Sequence, residues 1–336
     1  MLRKMIRGSF MLGLILSLFF GAHPSGMAAE KRATQAKKYK MAVITKNVLN
    51  PFWATLGAGA KAAAGELGIE MEYFAPTKPD NVLEQITIME NLISKKVDTI
   101  ILVAADSKGI LPGIEKANKA GVPVMLCNTR VPGAQVLSYV GVDFRESAYR
   151  ASKYTLEKMG GKGKIVHLTG VLGSQTGMDI KAGTEDAIKE YPGITVLATE
   201  TAGFVRPKGM EVMENLLQRF PKIDAVLVAN DASGLGVVEA IKQAGRMKDG
   251  MLVTGVLGGV DEGIIAVAKG EFLCVDYQAP YDEGYWATVL AYFALPGVSK
   301  NRLVMDLPSD VMIPCKLVTK DNVEVYMKKL GLSLTK

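Results

Sequence analysis

The sequence predicts an α/β protein of two similar lobes, each a parallel sheet covered by helices on both faces. Three observations point there. Ten short apolar runs alternate with helix-length amphipathic segments from residue 39 onward. Most of the runs are continuously apolar and do not alternate with polar residues, as expected of strands buried on both faces. They fall into two series of five, 39–143 and 164–278, and no finer repeat suggests a solenoid.

The chain opens outside this pattern. Arg3, Lys4 and Arg7 precede the apolar run FMLGLILSLFF (10–20), and GAHPSGMAA follows with small residues and a breaker. That order is the order of a secretory signal peptide, and the run is too short to span a bilayer comfortably. Residues 1–29 are therefore expected to be a leader, cleaved after Ala28 or Ala29. The mature protein is expected to be soluble and periplasmic, without membrane insertion, and with no Cys at the cleavage site to carry a lipid. Loss of the three basic residues lowers the formal charge from +6 to about +3, which gives no case for a nucleic-acid partner. KRATQAKKYK (31–40) reads as a solvated mature N-terminus.

The first series of strands is YKMAVIT (39–45), IEMEYFA (69–75), TIILVAA (99–105), PVMLCNT (123–129) and LSYVGVD (137–143). The second is KIVHLTG (164–170), TVLATETA (195–202), AVLVAND (225–231), MLVTGVLG (251–258) and FLCVDYQ (272–278). After the first strand, Asn50 is placed to cap a helix whose first residue is Pro51. Asp80 precedes a helix with Val82, Ile86, Met89 and Ile93 on one broad face. Two further helices, in ANKAG and IKQAG, end at a glycine before a strand.

Several motifs point away from catalysis. GAGAKA (57–62) matches a dinucleotide fingerprint, but its glycines lie about two turns into a helix, where close helix packing explains them. GGKGKI (160–165) lacks the upstream Gly and the Ser or Thr of a phosphate loop. His167, the one histidine after the leader, reads as a core residue and cannot build a zinc site alone. There is no G-x-S-x-G elbow. Cys127, Cys274 and Cys315 are odd in number, lie in apolar stretches and form no CxxC pair, so buried free thiols are expected, with one disulfide possible. No catalytic residue, metal or cofactor is expected.

Ligands of doubly wound sheets bind beyond the carboxyl ends of the strands. The residues there are 46–53, Asp106 and Ser107, 128–130, Phe204, Asn230 and Asp231, 257–259 and Gln278. The set is rich in amides and aromatics, which suits a sugar: its C–H faces lie on rings and its hydroxyls both donate and accept. Phe52 and Trp53 admit a second reading, as core packing at a helix start.

NPFW (50–53), NKAGVPV (118–124), VMENLLQRFPKIDAVLVANDASGLGVVEAIKQAG (212–245) and YQAPYDEG (277–284) resemble, in order and spacing, the ribose-binding-protein type of periplasmic substrate-binding protein. The similarity covers nearly all of 39–318. This core is shared with lac-repressor-type regulators, which carry a helix-turn-helix where this chain carries an export signal. The resemblance implies the type I fold: two doubly wound parallel-sheet lobes joined by a three-strand hinge. The N-terminal lobe is expected at 38–142 plus 279–309, the C-terminal lobe at 143–278 plus 310–336, and the crossovers near 142–144, 278–280 and 309–314. It implies a monomer, not an enzyme, that captures a small sugar-like or polyol ligand in the cleft and delivers it to an ABC permease. A sensor presenting the same ligand to a histidine kinase or chemoreceptor would use the same lobes.

By matching positions, Asn50, Phe52 and Trp53 correspond to first-lobe contacts, and Phe204, Asn230 and Gln278 to second-lobe and hinge contacts. Asn128 stands where an Asp is usual. The departures are informative. Thr129 intervenes before Arg130. Met178, beside Asp179, falls where an Arg is usual, and Gly258 where an Asp is usual. Val103 or Ala104 replaces a polar residue shortly before Asp106, and Lys46 replaces a small polar residue. The pocket thus loses at least two charged hydroxyl-binding groups and gains a cation. Ribose is not expected, and a deoxy, smaller, modified or acidic sugar-like ligand, or a polyol, stays open. Lys46 is expected to select the ligand, pairing with it or with Asp106 or Asp179, or else to face solvent at the cleft rim.

Overall fold

All ten apolar runs form strands in the computed structural model, which describes residues 37–298 and 307–334. The expected leader, 1–29, lies outside the described residues. The first series gives β1 (Lys40–Ile44), α1 (Pro51–Leu67), β2 (Glu70–Phe74), α2 (Val82–Ser94), β3 (Thr99–Leu102), α3 (Leu111–Lys119), β4 (Val124–Cys127) and β5 (Tyr139–Gly141). The second gives α4 (Phe144–Lys158), β6 (Lys162–Thr169), α5 (Gln175–Lys189), β7 (Gly193–Thr201), α6 (Arg206–Arg219), β8 (Ala225–Val228), α7 (Asp231–Gln243), β9 (Leu252–Gly258), α8 (Asp261–Lys269) and β10 (Cys274–Tyr277). The chain then adds α9 (Pro280–Phe293), β11 (Asp310–Met312), β12 (Lys316–Thr319) and α10 (Val323–Lys329).

The strands form two six-stranded sheets, ordered β11-β5-β4-β3-β1-β2 and β12-β10-β9-β8-β6-β7. Every pairing is parallel except β10 with β12, an antiparallel edge. The runs of the inner strands are continuous because both faces are covered, whereas the edge strands β2 and β7 are exposed or half-buried throughout. In the first sheet Met41, Val43, Ile101, Val103 and Met125 join one core with Leu56 and Ala60 of α1 and Ala287 of α9. Ala42, Ile44, Ile100, Leu102 and Val124 join another with Met89 of α2 and Ile114 of α3. In the second sheet Ile165, Ala225 and Leu227 pack with Ala148 of α4 and Ala187 of α5. Each fully buried aliphatic side chain stabilises the fold by about 1.5–3 kcal/mol relative to exposure.

The chain passes between the sheets at 142–143, 278–279 and 313–315. The boundary expected between 309 and 310 therefore moves: Asp310–Met312 pairs with Tyr139–Gly141 in the first sheet, and the chain leaves only after Met312. Strand β11 is short and poorly buried, so no apolar run marked it. Residues 280–293 return to the first lobe, where α9 packs on α1. A Cβ on Gly59 would stand 1.9 Å from the Tyr281 carbonyl oxygen, and one on Gly284 2.0 Å from that of Leu56. That reciprocal contact is why GAGAKA is rich in small residues. All three cysteines are free, Cys127 and Cys274 buried and Cys315 partly so.

Candidate functional site

The N-terminus of α1 builds the first wall. Asn50 caps it, its Oδ1 accepting from the Phe52 N–H at 3.0 Å, with Pro51 in the first turn. This cap sets the two rings that follow. Phe52 and Trp53 pack edge to face, centroids 4.9 Å apart, and both are buried. They belong to the core, as the second reading of the pair expected, and also line a cavity between the sheets.

The cavity has a volume of about 40 Å³. Lys46, Asn50, Phe52, Trp53 and Asn128 line it from the first lobe, and Phe204, Asn230 and Gln278 from the second lobe and its crossover. The structure thus brings eight of the eleven candidate residues together. Phe144, Thr176, Ile180, Asp231, Leu257 and Gly258 complete the lining.

The other three candidates stand elsewhere. Asp106 accepts from the N–H groups of Lys108 and Gly109, holding a local turn. Arg130 bonds Asp310 at 2.9 Å and lies over the Tyr139 ring, 4.0 Å from its centroid. Asp179 accepts from Gln175 at 2.7 Å. Thr176 and Ile180 face the cavity in place of Met178 and Asp179, because residues four apart share a helix face and α5 turns the intervening pair away. That offset is readable once the Ser174 cap fixes the helix start.

Lys46 is 2% exposed. Its Nζ lies 5.9 Å from the Trp53 ring centroid and 5.8 Å from that of Phe204. No salt bridge to Lys46 occurs among the described residues, so neither Asp106 nor Asp179 pairs with it, and it does not sit at a solvated rim. Burial pulls its pKa down to about 8, and the nearby Asp80 opposes that shift. Three polar atoms near or at the site are buried without a hydrogen-bond partner: Trp53 Nε1, Gln278 Oε1 and Glu283 Oε1. Glu283 lies just behind the lining, its other oxygen accepting from Asn128 at 3.0 Å, and burial raises its pKa to about 8.

The walls meet directly. Asn50 of the first lobe and Asn230 of the second both donate to the Phe204 carbonyl oxygen, at 3.2 and 3.3 Å. The Ser107 N–H donates to the Gly173 carbonyl at 3.0 Å, and the Gln175 N–H to Ser107 Oγ at 2.8 Å. Gly259 faces Phe52, so that a Cβ there would stand 2.6 Å from the ring. Asn128 and Phe204 hold φ of 61° and 62°, in the left-handed region that non-glycine residues rarely occupy. Such strain persists where surrounding contacts enforce it, and here both residues line the cavity.

A model of the periplasmic binding protein domain matches residues 41–297. The chain is 30% identical over 250 residues to a xylitol-binding protein of Mycolicibacterium smegmatis, covering 74% of this chain and 69% of that one. It is 27% identical over 254 residues to the ribose import binding protein of Escherichia coli, covering 76% and 84%. Among solved structures, an ABC transporter solute-binding protein from Bacillus halodurans with bound myo-inositol superposes with a TM-score of 0.79 at 27% identity, covering 87% of this chain and 98% of that one. One from Actinobacillus succinogenes with bound D-allose gives 0.77 at 29%, covering 86% and 100%.

Proposed function

This chain belongs to the periplasmic binding protein family, and from that premise we propose that it captures a small sugar or polyol between its lobes and delivers it to an ABC importer. One observation carries the reading: a cavity between the lobes, lined largely by buried residues, has aromatic rings on both walls and polar groups left without partners in the protein. A sugar or polyol supplies what is missing, with C–H faces for Phe52, Trp53 and Phe204 and hydroxyls that donate and accept. The relatives named for xylitol and ribose, and the neighbours holding myo-inositol and D-allose, support this ligand class.

The proposed contacts are Lys46, Asn50, Phe52, Trp53, Asn128, Phe204, Asn230 and Gln278. Asp106, Arg130 and Asp179 are proposed to act at the margin, keeping loops in place. The lobes, 38–142 with 279–312 and 143–278 with 313–336, rotate about the three crossovers. Opening admits ligand, and closing makes the Asn50–Phe204 bond and seals the cavity. The protein acts as a periplasmic monomer.

A thermal-shift screen of sugars, polyols, sugar acids and nucleosides tests the reading. A ligand binding only the folded form at 100 times its Kd adds about 2.7 kcal/mol of stability. Small-angle scattering then checks the motion, with a smaller radius of gyration expected on ligand addition. Unchanged scattering at saturation would count against a hinged cleft.

A further inference from the structure

We propose that the ligand is a sugar acid and that its carboxylate is received by the Lys46 ammonium together with the indole N–H of Trp53. The inference rests on the sugar-binding reading above and narrows it.

The hydrogen-bond inventory of the cavity carries the argument. Most polar side chains of the lining are committed inside the protein. Asn50 and Asn230 spend Nδ2 on the Phe204 carbonyl and Oδ1 on helix caps. Asn128 Nδ2 donates to Glu283, and Thr176 donates to the Asn128 carbonyl. Asp231 accepts from the N–H groups of Ala232, Gly259 and Val260. What stays open leans to donors: the Lys46 ammonium, which makes no hydrogen bond among the described residues, the Trp53 N–H and the Gln278 amide N–H groups, against Gln278 Oε1 and Asn128 Oδ1, with Glu283 Oε1 behind the lining. A neutral hydroxyl brings a donor with every acceptor and would have to dispose of it. A carboxylate only accepts, at about four lone-pair sites, enough for both Lys46 and Trp53. A hydroxyl elsewhere on the same molecule answers Gln278.

Charge points the same way. A buried ammonium without a partner is costly. The carboxylates around it compensate it only in part. Asp80 acts on Lys46 only through space, making no ion pair with it, and Asp231 has both oxygens turned to backbone N–H groups. The flanking rings of Trp53 and Phe204 stabilise a cation but offer no lone pair. These rings come from opposite lobes, so an anion beside Nζ would be enclosed from both sides. The depressed pKa of Lys46 agrees with an ammonium stripped of water and given no partner in return.

Titration calorimetry on the mature chain tests this with matched probes: D-galacturonate against D-galactose, and D-gluconate against D-glucitol. The wild type, Lys46→Met and Lys46→Arg are compared, each first shown to melt cooperatively. The expected result is an acid of either pair bound at least about tenfold tighter than its neutral partner by the wild type. That ratio should collapse in Lys46→Met and survive in Lys46→Arg. At pH 8.5 to 9, acid binding should also take up a fraction of a proton, read from the dependence of the heat on buffer ionisation enthalpy. Neutral probes bound as tightly as the acids, or an acid preference unchanged in Lys46→Met, would overturn the inference and leave the sugar-binding reading standing. Absence of binding by either class, with cooperative melting intact, would defeat the sugar-binding reading itself and the inference with it.

Discussion

Strands β1 and β6 hold the same place in their lobes: the orders β2-β1-β3-β4-β5 and β7-β6-β8-β9-β10 are one topology used twice. Each strand also brings a buried nitrogen base. On β6 it is His167, inside the strand, 1% exposed, with Nε2 unpartnered and its pKa driven down to about 4 by burial. Beyond β1 it is Lys46, two residues past the strand end, with its pKa lowered only to about 8. The difference lies in position along the strand. Inside the sheet a base survives by staying neutral and takes no part in the cleft. Past the carboxyl end it stays charged at neutral pH and lines the cavity between the lobes. The first lobe thus brings a charged base to the cavity, while the second brings Phe204, Asn230 and closely packed glycines at 173 and 259.

The largest expected effect tests the silent base. The folded-state pKa of His167 lies below the unfolded value of 6.5, so the unfolded chain binds the extra proton as pH falls. Stability is therefore unaffected above 6.5 and is lost as pH falls toward 4, by about 3 kcal/mol at about 1.4 kcal/mol per pH unit. Urea unfolding of the wild type and His167→Leu at pH 7, 5.5 and 4 should show the variant without this part of the acid slope. Parallel slopes would mean that His167 finds a partner on protonation and that the contrast with Lys46 is false.

Next comes the shape of the second lobe. Gly259→Val places a side chain against the Phe52 ring and the Pro280 ring. Closure should be disfavoured while each lobe folds. A closed state made rarer by about 3 kcal/mol lowers apparent affinity about 100-fold. The loss should be equal for acidic and neutral ligands, unlike that of Lys46→Met. A selective loss would move part of the ligand chemistry into the second lobe.

How much of this was legible follows the same division. Eight inner strands were readable because apolar residues on both faces leave continuous runs, the edge strands β2 and β7 were readable by their place between helices although they are at most half-buried, and Asn50-Pro51 announced the α1 start. Strands β11 and β12 were not, being short, partly exposed edges. In the site, residues just past strands were found when their side chains turn inward, as with Lys46, Asn128 and Asn230. Asp106 and Arg130 follow strands too, but one holds its own turn and the other is drawn to Asp310, a partner 180 residues away. Only the folded chain shows that pairing. Glu283 was visible only as part of a motif, and its burial against Asn128 depends on α9 returning to the first lobe.

Smaller still is the effect of Lys46 on the unliganded protein. Its folded-state pKa is depressed, so at neutral pH folding buries a charge the unfolded chain keeps hydrated. Relative to Lys46→Met, wild-type stability should gain with pH between about 8 and 10.5, where the unfolded chain still holds the Lys46 proton and the folded chain has released it. Lys46→Met should lack this contribution over that window and be about 2 kcal/mol more stable at pH 7, the ring contacts offsetting part of the burial cost. Chemical denaturation at pH 7 and 10 measures both. A less stable Lys46→Met would mean that the cation is already satisfied within the first lobe.

The smallest effect separates the lobes at a single oxygen. The Phe204 carbonyl accepts from Asn50 across the cleft and from Asn230 within its own lobe. Both amides also cap helices, Asn50 to the Phe52 N–H and Asn230 to the Ser233 N–H. Serine keeps a capping oxygen but cannot reach as an amide does. Asn50→Ser should therefore leave the melting temperature of the unliganded protein nearly unchanged if that protein is mostly open, because the bond it removes exists only when the lobes meet. Its cost should appear in affinity, about 3- to 10-fold, the size of one net hydrogen bond. Asn230→Ser removes a bond present in both states and should lower the melting temperature, with a smaller change in affinity. Differential scanning calorimetry without ligand and titration with ligand read the two effects separately. Equal melting shifts in the two variants would mean that the lobes are already closed without ligand, and closure would then do no work in recognition.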